Sequence, residues 1–403
     1  MNETSHNLRK TIDTFIETAQ FDALNDTCKI ALAEARERRD KFTEIIAIVG
    51  LSQGHRFIGK FKEARVLING ALDFANQIGD RELLIMALIT SAEISLSTTF
   101  QVHEAERDYR QALELAKSIG DERVIARVQA GMASVFIQAE DAGRAQKYAR
   151  DAFETARDCS DRYVMGLSLA LIGSSVSNSQ PEKAMQAFED AMAIAQQDNF
   201  RLMELGLTGS IGQLLSREER YADEGQLMLE KALAMAKDFR SVPHEFTAIY
   251  RLGRALERNQ ALDRAAQYYG MMLERAQEWR ARSYEGVSFF NLGILAYNRT
   301  HYDDAIANFE QALVIARETN NPFQEAQAEQ VIASSYVNLG NLDEALGHYM
   351  SARSIYDSLD NGYMSNIMLQ RIVMLYIQRF FNRVLRWIGL GKEDDGQDTT
   401  AED

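Results

Sequence analysis

The chain has 403 residues, 46% of them hydrophobic, with 59 acidic against 44 basic side chains and a formal net charge of −15. That balance argues against non-specific nucleic-acid binding, which needs clustered Lys and Arg to meet phosphates. Cys28 and Cys159 lie far apart and give no disulfide framework, and the polar stretch 1–26 lacks the apolar core of a signal peptide, so a reducing cytoplasm is expected.

Only three prolines occur (Pro181, Pro243 and Pro322), each beside an expected helix start, where a missing N–H costs nothing. With abundant Ala, Glu, Arg and Leu this predicts an all-α chain. A column of small and aromatic residues then recurs about every 40 residues. It begins weakly at Leu24, Cys28, Ala31 and Ala35, then reads Ala105, Tyr109, Ala112, Ala116 and Ala184, Phe188, Ala191, Ala195. Further on it reads Ala265, Tyr269, Met272, Ala276, then Ala305, Phe309, Ala312, Ala316, then Ala345, Tyr349, Ala352, Tyr356. Positions i, i+4, i+7 and i+11 share one helical face. Alanine there lets this second helix of each unit lie close to the first, and the aromatic fills the gap between units. Cys28 reads as a buried small hydrophobe in this column.

The first helix of each unit carries a small-residue column about twelve positions upstream: Ser52, Ala133, Gly212, Gly253, Gly293 and Ala333. Glycine inside a helix costs about 0.5–1 kcal/mol against alanine, so its recurrence predicts close backbone approach. In the eighth unit the helices are expected over about Ser283–Tyr297 and Tyr302–Glu318. Between units stand Gly79-Asp80, Gly120-Asp121, Ser160-Asp161, Asn320-Asn321 and Asp360-Asn361. A glycine or asparagine can take a left-handed position, and the following Asp or Asn can cap the next helix. Nine units fit, ending near residues 40, 80, 121, 161, 199, 240, 281, 321 and 360.

With Gly293, Tyr297, Ala305, Phe309 and Ala312 in register, the chain resembles the tetratricopeptide repeat family. The usual repeat is about 34 residues, so these units resemble an extended variety, and the family's proline near the end of the second helix is generally missing. The resemblance implies a right-handed α-solenoid of antiparallel helix pairs over 1–361, with the first helices lining a concave groove for peptide or protein segments. Counting on from the small column places Gln213, Arg217, Arg254 and Arg258 in that groove, with Arg251 and Glu257 nearby. The same count gives Gln53, Arg56, Arg127, Ser134, Asn298, Gln330, Ser334 and Asn338. The arginines suit a carboxylate-bearing peptide held bidentately; the competing reading pairs them with Glu218, Glu219 and Glu257 as a solvated face. The family's carboxylate clamp is not supported, because Gly209, Tyr250 and Phe290, and Gln213, Arg254 and Ile294, stand at the matching positions.

No residue spacing suggests a metal site, a cofactor or a catalytic nucleophile. His244-Glu245 lacks the second histidine of a zinc motif, and Gly389-Leu390-Gly391-Lys392 lacks the spacing of a phosphate loop. The chain is therefore not expected to be an enzyme. After the ninth unit, residues 362–392 carry +5 without an acidic residue, the remaining tail −6, and residues 1–361 therefore −14. The segment 362–390 reads as a helix with Arg379, Arg383 and Arg386 on one face and Phe380, Phe381, Val384, Leu385, Trp387 and Ile388 on the other. Its arginines argue against a membrane span. It is expected to cap the last repeat, to present an amphipathic face to a partner helix or an anionic membrane surface, or to do both. The tail 391–403 reads as disordered. These features point to a cytoplasmic scaffold or adaptor with a protein or peptide partner. The alternatives are a peripheral membrane or assembly scaffold tethered by the last helix, and a peptide-responsive sensor arm without its own output domain.

Overall fold

The computed structural model describes residues 3–99 and 101–387, which form 19 α-helices and no strand. They run two to a unit: α1 (Glu3–Glu17) with α2 (Phe21–Arg38), α3 (Lys41–Phe57) with α4 (Phe61–Ile78), and α5 (Arg81–Ile94) with α6 (Val102–Ile119). Next come α7 (Glu122–Gln138) with α8 (Ala142–Asp158), α9 (Arg162–Val176) with α10 (Pro181–Gln197), and α11 (Arg201–Leu215) with α12 (Ala222–Asp238). The series ends with α13 (Val242–Arg258) and α14 (Leu262–Glu278), α15 (Arg282–Asn298) and α16 (Tyr302–Glu318), α17 (Pro322–Leu339) and α18 (Leu342–Ser358), then a single α19 (Gly362–Trp387). The nine units fall where the columns put them, and α15 and α16 match their expected bounds to within one residue. The chain forms two compact units, Met1–Ser288 and Phe289–Asp403.

Each reversal between helix pairs turns on one left-handed residue. Arg39, Gly79, Gly120, Ser160, Asn199, Arg240, Arg280, Asn320 and Asp360 have φ between 51° and 75°. The expectation of glycine or asparagine was thus too narrow, since Arg, Ser and Asp also hold this conformation. What enforces it is closure of the helix end: the N–H of Asp161, Ser241 and Asn321 returns to the carbonyls of Ala156, Ala236 and Ala316 at 2.8–2.9 Å. The residue that follows caps the next helix. Asp40, Asp80, Asp121, Asp161 and Asn321 accept the backbone N–H of Thr43, Leu83, Val124, Val164 and Gln324 at 2.9–3.2 Å.

The alanine ladder is the core. Ala64, Ala105, Ala145, Ala184, Ala265, Ala305 and Ala345 are each 0% exposed. Facing them, the small residues of the preceding helix admit the ladder's aromatic ring. A Cβ on Gly253 would lie 2.4 Å from the Tyr269 ring, and one on Gly293 2.5 Å from the Phe309 ring. Gly212 departs from the twelve-residue spacing: it packs against Gly225, thirteen residues on, because a short 3-10 turn at Glu219–Tyr221 lengthens the connection.

Candidate functional site

Within Met1–Ser288 the repeat turns back on itself. α1 packs on α11 and α3 on α13. The Tyr284 hydroxyl donates to the Ser97 carbonyl at 2.6 Å, Arg240 pairs with Asp22 at 2.8 Å, and Phe57 stacks on His244 with centroids 6.1 Å apart. In this unit the first helices therefore enclose an interior, where an open groove was expected. His244 shows the effect: burial, then the charges of Arg56 and Arg251, push its pKa down to about 3.

Three sequence-predicted groove residues, Gln53, Arg56 and Arg127, meet acids inside this enclosure. Arg56 donates Nε and Nη2 to the Gln53 Oε1 at 3.0 and 2.7 Å and lies 3.6 Å from Glu93. Gln53 in turn donates to Thr90 at 3.1 Å and to Glu93. Arg127 donates to Asp13 at 2.9 Å across 114 residues of sequence. Burial alone would lower the Arg127 pKa, but the Asp13 and Glu93 carboxylates outweigh it and hold the guanidinium above its usual value. Glu17, one turn beyond Asp13, is pushed up to about 7 by burial first and by the Asp13 charge second. A cavity of about 40 Å³ lined by Arg9, Asp13, Gln53, Thr90 and Arg127 has room for water but not for a peptide. The column count missed Asp13 and Glu17 because their unit meets that of Arg127 across the turn of the repeat, which carries no local signal, whereas Glu93 stands one repeat after Gln53 on the neighbouring first helix α5.

The arginines of the sixth and seventh units stand differently. Gln213, Arg217 and Arg251 are half-buried, and Arg254 and Arg258 are exposed. The neighbouring first helices α11 and α13 bring Arg251 beside Ser210 (Nη2 to Oγ, 3.4 Å) and Arg258 beside Arg217. Gly209 makes the recess: a Cβ there would lie 2.5 Å from the Arg251 guanidinium. Burial pushes the Arg251 pKa down to about 10. Burial, then the Arg258 charge, lowers that of Arg217, whose Nη1 donates to the Ser177 carbonyl at 2.7 Å. Arg254 follows the competing reading, pairing with Glu257 at 3.4 Å. Among the described residues, Arg217 and Arg251 thus bond only neutral oxygens, which is unusual for half-buried cations in so acidic a chain.

In Phe289–Asp403, the predicted groove residues are tied to ring hydroxyls. Asn338 donates to the Tyr297 Oη at 2.8 Å, the Tyr356 hydroxyl donates to Gln330 at 3.3 Å, and Ser334 meets the Tyr349 hydroxyl at 3.0 Å. Asn298 is exposed at the end of α15. Beside them the buried Glu329 accepts from Arg317 at 2.8 Å and pairs with His348 at 2.5 Å.

The last helix, α19, docks on α18 through Met368, Ile372 and Leu375, which are buried with Tyr349 and Tyr356. Arg379 continues that stripe and pairs with Asp343, in the first turn of α18, at 2.5 Å. Its apolar face points away from the repeats: Phe380, Phe381, Leu385 and Trp387 are 64%, 58%, 41% and 87% exposed. Val384 is half-buried and Arg383 exposed. Only the backbone of Arg386 is described, and Ile388 and the segment 391–403 lie outside the described residues. Among the described residues no helix is long and apolar enough to cross a membrane, and no three His, Cys, Asp or Glu side chains converge as metal ligands.

Consecutive antiparallel helix pairs with this ladder define an α-solenoid of the tetratricopeptide type. The family model described as anaphase-promoting complex subunit 5 matches residues 105–202 and 253–341. No curated protein sequence matches the chain. Among solved structures, the chain is similar to a signal-transduction ATPase with numerous domains and a tetratricopeptide repeat sensor, from Pyrococcus horikoshii. The TM-score is 0.52 at 14% identity, over 96% of this chain and 65% of that one. It is also similar to a Rap protein complexed with competence and sporulation factor (TM-score 0.49, 12% identity, 94% of this chain and 99% of that one). A third likeness is to the apo form of the quorum sensor NprR from B. thuringiensis (TM-score 0.48, 11% identity, 83% and 98%). At these identities the likeness is one of fold.

Proposed function

We propose that this chain is a protein-interaction scaffold that captures an acidic segment of a protein partner along the arginine row of α13. The observation that carries this reading is that, among the described residues, Arg217 and Arg251 bond only neutral oxygens while Arg258 adds a third positive charge beside Arg217. A carboxylate-bearing segment would supply the counter-charge that the described residues do not bring there. The row runs from the half-buried Arg251 to the exposed Arg258, two helical turns and about 10 Å apart. An extended segment could therefore enter at the rim and end at Arg251. The match of two stretches to a model of a complex subunit fits a scaffold.

The test is a peptide array of acidic, neutral and basic sequences probed with the full chain, its Arg258→Glu variant and its Arg251→Ala variant, with circular dichroism to confirm that each is folded. The parent should retain acidic peptides, and Arg258→Glu should weaken them at least tenfold. No preference for acidic peptides, or equal retention by a folded Arg258→Glu chain, would overturn the assignment.

A further inference from the structure

We infer that the outward face of α19 is a peripheral anchor for an anionic membrane surface. An amphipathic helix that serves only as a cap turns its apolar side to the core and its polar side to water. Here one apolar stripe, Met368, Ile372 and Leu375, is buried on α18, but beyond it Arg379 is turned to the repeat and held by Asp343, while a second apolar face is left outside. From residue 373 onward, Val373, Met374, Tyr376, Ile377, Phe380, Phe381, Leu385 and Trp387 are all exposed. At 3.6 residues per turn they span about half of the helix circumference.

Charge selects among occupants of this face. Arg371 and Arg383, both exposed, stand at its two margins, and no acidic residue occurs anywhere in α19. A second copy laid on the same face would bring the arginine margins together without a counter-charge. The acidic tail 393–403 has no apolar side chain larger than that of Ala401. Anionic lipid supplies both requirements at once, an apolar layer for the rings and negative headgroups for the margins. Trp387 and the phenylalanines have the amphipathic-to-apolar character found at membrane interfaces.

The far end of this face stands clear of the acidic repeats. Arg379 pairs within the first turn of α18, so the eight residues 380–387 run beyond the start of that helix. At 1.5 Å per residue they extend about 12 Å. Charges on the repeat are screened over about 8 Å at physiological ionic strength. The arrangement lays α19 on the surface, in keeping with its spaced arginines.

The full chain and its Phe380→Glu/Phe381→Glu and Arg371→Glu/Arg383→Glu variants should be floated with vesicles of phosphatidylcholine alone and with phosphatidylserine added. Trp387 fluorescence, read in a Trp279→Phe background where it is the sole tryptophan, gives an independent readout. The parent should float with the anionic vesicles and its emission should shift to the blue. Each arginine near an anionic surface changes partition about fivefold, so the arginine variant should lose binding at least tenfold, and the phenylalanine variant should lose it as well. Three results would overturn the inference: no flotation on anionic vesicles, equal flotation of the phenylalanine variant, or a concentration-dependent dimer abolished by these substitutions in a chain that does not float.

Discussion

The glycines of the first-helix column can be tested in pairs, because glycine in a helix interior has two opposed consequences. Replacing a helical glycine by alanine removes backbone freedom from the unfolded chain and stabilises by about 1 kcal/mol where there is space. At Gly270, in α14, a Cβ would meet nothing within 4 Å, so Gly270→Ala should show that full gain. At Gly253 the same Cβ would fall 2.4 Å from Cε1 and 2.7 Å from Cζ of Tyr269. That ring is 0% exposed and its hydroxyl reaches Glu257 at 3.3 Å, so it has little room to withdraw. Overpacking of this kind costs about 1–3 kcal/mol, and Gly253→Ala should therefore be less stable than Gly270→Ala by about that amount. Adding Tyr269→Leu to Gly253→Ala removes the obstructing ring atoms and should give a coupling of at least about 1 kcal/mol. Repeat arrays need not unfold in one step. Urea unfolding should accordingly be paired with hydrogen exchange at the amides of α13 and α14, which reports locally. If Gly253→Ala proves as stable as Gly270→Ala, close packing is not why glycine stands there.

Two further outcomes follow from the backbone and from the enclosed acids. Ser160 sits at φ +58° and Gly79 at φ +75°; Ser160→Gly should stabilise by about 0.5–1 kcal/mol and Gly79→Ala should destabilise by about 1 kcal/mol, measured by thermal melts, with like-signed effects refuting a shared left-handed requirement. Glu17, raised to about 7 by burial and then by the Asp13 charge, keeps a proton in the native state that the unfolded chain has already released. Its favourable contribution is complete below about pH 4.5 and is lost as pH rises through about 7. The parent should lose about 1–3 kcal/mol from this group between pH 5 and 8.5, and Glu17→Gln should not; parallel stability–pH curves for the two would refute the assignment.

The architecture was readable because it is written locally and repeatedly. A column such as Ala305, Phe309, Ala312, Ala316 specifies a helix face whatever lies elsewhere, and Asp161 caps α9 with a residue three positions away. The closed interior of Met1–Ser288 was not readable, because Arg127 with Asp13 and Tyr284 with Ser97 join positions 114 and 187 apart through the repeat's winding. No periodicity encodes that winding; it accumulates from small rotations between neighbouring pairs. The count therefore set Arg56 and Arg251 in one open groove, although Arg56 is already paired with Glu93 and Arg251 is not. The recess at Gly209 did leave a trace, one repeat before the arginine that fills it. At α19 both faces were evident from the wheel, but which one turned inward depended on Asp343 in the preceding helix.

These contrasts separate side chains that hold the fold from those proposed to meet other molecules. In a linear solenoid each unit touches only its neighbours, and stability is close to a sum of local terms. The contacts of α1 with α11 and of α3 with α13 break that rule in Met1–Ser288, so the polar groups of the inner wall there are largely spent on the chain itself. Asp13 neutralises Arg127 and Glu93 approaches Arg56, and removing either acid would leave a cation poorly hydrated within the enclosure. Arg217 and Arg251 have the same chemistry but meet no such acid among the described residues, and the rings of Phe380 and Phe381 have the same bulk as Phe309 but no cover among them. The proposed recognition chemistry therefore lies where, among the described residues, the internal pairing stops.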